Sequence, residues 1–140
     1  MKNLLFIASF ACALVLVADA AFATPTLTNF QVSDAVGDSV KAGKSSLAHN
    51  TTDGNSLAVW EQFFPLTGGQ EGRIFGQLIG VDGTKIGLPF QMSSGDATRP
   101  DVAYDSVRNE DLVVYERGNR IEALNVSAAG DTIGFEIQIS

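Results

Sequence analysis

The strongest constraint on this chain is that it repeats itself. Residues 47–62 (LAHNTTDGNSLAVWEQ) lie on residues 102–117 (VAYDSVRNEDLVVYER) at a constant offset of 55, without a gap. Ala48/Ala103, Leu57/Leu112, Val59/Val114 and Glu61/Glu116 are identical, and Trp60/Tyr115, His49/Tyr104 and Asn50/Asp105 match in character. A second block, 73–93 (RIFGQLIGVDGTKIGLPFQMS), lies on 120–140 (RIEALNVSAAGDTIGFEIQIS) at an offset of 47. It shares Arg73, Ile74, Gly83, Ile86, Gly87, Gln91 and Ser93 with its partner. The drop in offset means that the first unit carries eight extra residues, within 63–72 (FFPLTGGQEG). A shorter fragment, Phe30-Gln31-Val32-Ser33, matches Phe90-Gln91-Met92-Ser93 and Ile137-Gln138-Ile139-Ser140. The chain therefore reads as the tail of one unit followed by two whole units. Each unit is a supersecondary block that must bury its apolar faces against neighbours.

The first residues are of another kind. Lys2 precedes the apolar run LLFIASFACALVLVA, and Ala21-Phe22-Ala23 is a small-x-small cleavage site. The run approaches the length of about 20 apolar residues that crosses a bilayer. Asp19 interrupts it, however, and no basic flank follows. Residues 1–23 are expected to be a signal peptide cleaved near Ala23, sending the protein to a secreted, extracellular or periplasmic location with no membrane insertion afterwards. The single cysteine, Cys12, leaves with it.

The rest divides into an extra strand and loop at 24–45, a first repeat at 46–94 and a second at 95–140. Each repeat carries four strand signals, in the second near 102–104, 112–116, 120–126 and 136–140. β-Branched and aromatic residues fill these runs, and Asp53-Gly54 and Asp82-Gly83 mark hairpin turns. No helical periodicity follows residue 23. Leu112 and Val114 alternate with Val113 and Tyr115, and Leu57 and Val59 with Ala58 and Trp60, so these strands are apolar on both faces. Such a sheet must be covered on both sides. The expectation is an all-β fold of antiparallel four-stranded blade-like sheets, with one further strand at 28–33 and a loop at 34–45.

Arg99-Pro100-Asp101-Val102-Ala103-Tyr104, then Leu112-Val113-Val114-Tyr115-Glu116, an Ile-x-x-Leu strand, Gly130 and Gly134, and Ile137-x-Ile139-Ser140 resemble the repeat of exported bacterial β-propeller proteins. Those repeats read Arg-Pro-x-Val-Ala-Tyr, Tyr-Leu-Val-Val-Trp, Asp-Gly-Thr-x-x-Gly and Phe-x-Ile-Ser. The first unit holds the later parts, as Val81-Asp82-Gly83-Thr84, Gly87 and Phe90-Gln91-Met92-Ser93. The resemblance covers residues 30–140 and implies β-propeller architecture without naming a ligand. Two units and a fraction do not close a ring. Three outcomes are open: self-association through blade faces, polymerisation by donation of the N-terminal strand, or further repeats in a longer gene product.

A net charge of −7 argues against nucleic acid and anionic membranes as partners. One His and one Cys exclude a Cys/His zinc site. No cofactor, metal or catalytic residue is assigned. Clustered oxygens at Asp53-Gly54-Asn55 and at Asp105 with 109–111 would suit calcium, but the first is better explained as a turn. The candidate ligand face gathers the insertion and the connections between units, with Phe63, Phe64, Gln70, Glu71, Asp96 and Arg99, and Asp34 and Asp38 beside them. Aromatic rings with amides and carboxylates suit a carbohydrate, although Phe63 and Phe64 are better suited to packing beneath their own loop or against a neighbouring subunit. Glu61 and Glu116 are expected to pair with Arg73 and Arg120 across a hairpin. His49 is expected in the core. Asn50-Thr51-Thr52 and Asn125-Val126-Ser127 are glycosylation sequons. The leading expectation is a secreted, non-enzymatic, lectin-like binding module that assembles with other subunits. The alternative is a structural extracellular protein polymerising by edge-strand exchange.

Overall fold

A computed structural model describes residues 31–32 and 40–140. The expected signal peptide, Asp34, Asp38 and most of the expected N-terminal strand lie outside the described residues. Gln31 and Val32 carry no strand assignment, and Val32 is half-buried.

Eight strands follow: β1 (Lys41–His49), β2 (Ser56–Leu66), β3 (Gly69–Ile79), β4 (Lys85–Gln91), β5 (Ala97–Asp105), β6 (Glu110–Arg117), β7 (Arg120–Ser127) and β8 (Thr132–Gln138). They form two four-stranded antiparallel sheets, in the orders β1-β2-β3-β4 and β5-β6-β7-β8. The described residues contain no helix, and none that could cross a membrane. The second sheet repeats the register of the first at the offsets found in the sequence. Ala48 faces Leu57 as Ala103 faces Leu112, and Trp60 faces Phe75 as Tyr115 faces Glu122. Gly76 faces Phe90 as Ala123 faces Ile137, each followed by the same irregularity. The left-handed turn residue recurs too. Gly54 has φ 72° and its counterpart Asn109 has φ 55°. Asn is among the few residues with a side chain that tolerate this region.

Two expectations need correction. Residues 41–45, expected in a loop, belong to β1, because Lys41 and Ala42 find ladder partners in Phe63 and Gln62. The eight extra residues do not form an irregular loop. Gln62 faces Arg73 as Arg117 faces Arg120, and the extra residues add four rungs, from Phe63 opposite Gly72 to Leu66 opposite Gly69. Extending the hairpin satisfies backbone groups that a free loop would leave to solvent.

Alternation places Ala48, Leu57, Val59, Ile74 and Leu78 on one face of the first sheet. Leu47, Ala58, Trp60, Phe75, Gln77 and Ile79 lie on the other. Leu57, Val59, Ile74 and Leu78 share one core cluster with Val113, Tyr115, Leu124 and Val126, closed by Met92 and Ala97. Burying each large apolar side chain contributes about 1.5–3 kcal/mol. The four residues from the second sheet align with Ala58, Trp60, Gln77 and Ile79, which lie on the opposite face of the first. The two sheets therefore stack front to back.

Polar contacts lock this stack. Glu61 accepts the amides of Lys44 (2.8 Å) and Arg99 (2.7 Å), joining the irregular stretches of β1 and β5. Asn50 donates to Asn109 (2.9 Å), and Asn109 donates to Asp53 (3.0 Å). The Tyr104 hydroxyl reaches Thr52 at 2.7 Å.

Candidate functional site

The β2–β3 hairpin carries four of the six expected ligand residues, and strand alternation divides them. Phe64 and Glu71 face each other on the side of Trp60, whereas Phe63 and Gln70 belong to the side of Glu61. Phe64 packs on Phe75 with ring centroids 6.0 Å apart, and Phe75 stacks on Trp60 at 6.1 Å. The Arg73 guanidinium lies 4.8 Å from the Phe64 ring centroid and pairs with Glu71 at 2.9 Å. Phe64 and Glu71 thus join an aromatic ladder that runs from buried Trp60 through half-buried Phe75 and Phe64 to an ion pair, and its outer end, Phe64 with Arg73 and Glu71, suits a ring with hydroxyls at its rim.

Phe63 is half-buried beside Gly72, and Gln70 is exposed near the hairpin tip. A Cβ on Gly72 would stand 2.6 Å from the Ala97 carbonyl oxygen, so the hairpin base runs tightly against β5. Asp96 is exposed just before β5. Arg99 adopts a φ of 53°, gives its amide to Glu61 and pairs its guanidinium with Glu116. Asp96 and Arg99 therefore flank the hairpin base, and Gly95, next to Asp96, borders the ladder's end, since a Cβ there would stand 3.6 Å from Glu71 Oε1.

The expected Glu–Arg cross-strand pairs do not form. Glu61 faces Ile74, and Arg73 faces Gln62, so Glu61 and Arg73 point to opposite faces. Arg73 turns to Glu71 and Glu116 turns to Arg99. His49 is exposed, its Nδ1 3.1 Å from the Ser56 hydroxyl, because it lies at the end of β1 on the face turned away from the core. Asn50 of the first sequon is 1% exposed, and its side chain is held by Asp53, Asn109 and the amides of Thr52 and Asp53. Asn125 of the second lies within β7.

A concavity of about 410 Å3 adjoins the ladder, lined by Val32, Ser45, Leu47, Ala58, Trp60 and Ile79. The Trp60 indole donates to Gln62 at 3.2 Å. Gln77, on the same face, is fully buried. Its amide donates to the carbonyls of Leu78 (3.0 Å) and Ile86 (2.9 Å), and its Oε1 finds no partner. The sequence reading missed this concavity. Its one signal was the apolar pair Ala58 and Trp60 alternating with Leu57 and Val59.

On the equivalent face of the second sheet, inside the stack, the apolar core gives way beyond Tyr115 to an ionic group. Tyr115 donates to Glu136 at 2.6 Å, and Arg117 binds Glu136 through two bonds of 3.0 and 2.8 Å. Burial opposes ionisation of Glu136, but the Arg117 and Tyr115 hydrogen bonds outweigh it and hold its carboxyl low. Burial pushes the Asp111 carboxyl up to about 6. Among the described residues no group of three or more His, Cys, Asp or Glu is placed to hold a metal ion.

Comparison with known proteins returned no match to a family model, a curated protein or a solved structure.

Proposed function

We propose that this chain is an exported, non-enzymatic binding module of β-propeller type, lectin-like in the loose sense, that assembles with further subunits. The observation that carries the reading is the half-buried pair Phe64 and Phe75, backed by buried Trp60 and capped by Arg73 and Glu71 on a hairpin that only the first unit extends. Flat apolar rings beside charged hydrogen-bonding groups match the two surfaces of a sugar. The export signal and the repeat motifs support the location and the architecture.

Replacing residues 63–72 by the two-residue turn of the second unit, Gly-Asn, tests it. On a glycan array the mature protein binds a defined saccharide class, and the shortened variant loses that binding while keeping its β-sheet circular dichroism. Equal binding by both, or no glycan bound by either, overturns the ligand reading. The other reading, a structural protein joined through edge strands, is favoured by one observation: every residue of β8 is exposed along the sheet edge.

A further inference from the structure

The outer face of the second sheet carries a hollow of about 280 Å3 near the β5–β6 turn. Its floor is a row across three strands, because Leu112 of β6 faces Ala103 on β5 and Asn125 on β7. Two residues back along β6, alternation brings Glu110 to the same side, opposite Asp105. Arg108, from the turn between β5 and β6, completes the rim. The hollow is open to solvent, since Leu112 is 41% exposed and Ala103 and Arg108 are exposed beside it. We propose that it binds a primary ammonium group carried on a short unbranched hydrocarbon stem.

The charges of the rim do not cancel. Asp105 accepts the Val107 amide at 2.9 Å and pairs with Arg108 at 3.2 Å, so those two charges neutralise each other within the turn. The Glu110 carboxylate has no hydrogen bond or ion pair among the described residues, and neither does the Asn125 side-chain amide. One uncompensated negative charge and one free amide therefore stand around an apolar floor. The net charge of −7 adds a field that attracts cations. An ammonium has donors only, which matches a carboxylate that has acceptors only. Residues two apart on one strand are about 7 Å apart, so a stem of about four carbons lies along Leu112 and Ala103 while its ammonium meets Glu110. The far end of the stem then reaches Asn125, across from Leu112.

The first unit shows the same corner receiving protein instead. Ala48, Asn50, Asn55, Leu57 and Leu78 occupy the positions of Ala103, Asp105, Glu110, Leu112 and Asn125. Leu57 and Leu78 belong to the core between the sheets. Asn50 donates to Asn109 at 2.9 Å and Asn55 to the Ala128 carbonyl at 3.3 Å, both in turns of the second sheet. The second unit keeps the alanine and the leucine. It replaces both neutral amides by carboxylates and Leu78 by an amide. A carboxylate pressed against another sheet costs free energy unless it is paired there. Left open to water beside an apolar floor, it suits a small cation. The inference is independent of the glycan reading, whose hairpin belongs to the first sheet.

A lysyl side chain of a peptide and a free aliphatic amine share this chemistry, and two probes separate them. The mature protein is titrated at low ionic strength with n-butylammonium and with N-acetyl-lysine N-methylamide, followed by its amide proton–nitrogen spectrum. Both probes should shift Ala103, Glu110, Leu112 and Asn125 with Kd of about 1–10 mM, and n-butyrate should leave them in place. Tighter binding of the lysine derivative assigns the ligand to a peptide, through its backbone at Asn125, and equal affinity assigns it to a free amine. Glu110→Gln should weaken both probes about fivefold. Leu112→Ala should abolish the preference for butylammonium over methylammonium. Absence of shifts at these residues, undiminished binding by Glu110→Gln, or binding of butyrate at the same place overturns the inference. Should Glu110→Gln lose its dispersed spectrum, salt takes its place. Raising the ionic strength to about 0.15 M should then weaken butylammonium binding to the wild type, and an unchanged affinity overturns the inference.

Discussion

Leu57 and Leu112 occupy the same position in two sheets of the same register, yet one is fully buried and the other is 41% exposed. Val59 and Val114 differ in the same way. Tyr115 and Trp60 are both buried, although only Tyr115 belongs to the cluster between the two sheets and Trp60 lies on the far face of the first. Local sequence sets which residues a strand turns to each face. Only the neighbouring sheet decides which of those faces becomes core. On the outer face of the second sheet Leu112 and Ile137 stay exposed, whereas on the outer face of the first Ala58 and Trp60 are buried.

Truncation of the two leucines breaks the comparison most strongly. Leu57→Ala should cost about 2–5 kcal/mol in urea unfolding, because the cavity it leaves cannot reach water. Leu112→Ala should cost under about 1 kcal/mol. Equal losses would mean that both faces are covered.

The paired glutamates come next. Glu61 is buried and accepts two backbone amides, whereas Glu116 makes a partly exposed ion pair with Arg99. Glu61→Gln should cost about 1–3 kcal/mol, since an amide nitrogen would meet a backbone N–H. Glu116→Gln should cost about 0–1 kcal/mol. Thermal unfolding of the two variants measures the difference.

Asp111 gives a smaller effect with a pH signature. Its carboxyl is 2% exposed, and Oδ1 lacks a hydrogen-bond partner; its counterpart in the first unit is Ser56. Burial raises its pKa from 3.8 to about 6 in the folded state. The folded protein thus holds this proton more tightly than the unfolded chain, so stability falls as pH rises from about 4 to 6 and then levels. Asp111→Asn should remove that slope and add about 1–2 kcal/mol at pH 7. Urea midpoints at pH 4 and pH 7 for both proteins check the sign.

Much of the fold was legible because apolar alternation and glycine turns are local. All four strands of the second unit were readable from runs such as Leu112-Val113-Val114-Tyr115. What escaped depended on partners. Residues 41–45 become strand only because the lengthened hairpin supplies Gln62 and Phe63 beside them. The eight extra residues read as a loop, since Gly68, Gly69 and Pro65 mask a ladder. The Glu61–Arg73 pair failed by a single step of register, which inverts a side chain's face. Of the site, the sequence named Phe64 and Glu71. It gave no cue that Trp60 and Phe75 complete their ladder, because those two residues meet only across β2 and β3.

The central claim is the front-to-back stacking of the two sheets. Methyl–methyl nuclear Overhauser effects test it most directly. Cross-peaks should join Leu57, Val59 and Leu78 to Val113, Leu124 and Val126, while the methyls of Leu112 and Val114 should show none to the first sheet. Cross-peaks from Leu112 or Val114 to Leu57 or Val59 would contradict the account, because they would place like faces together.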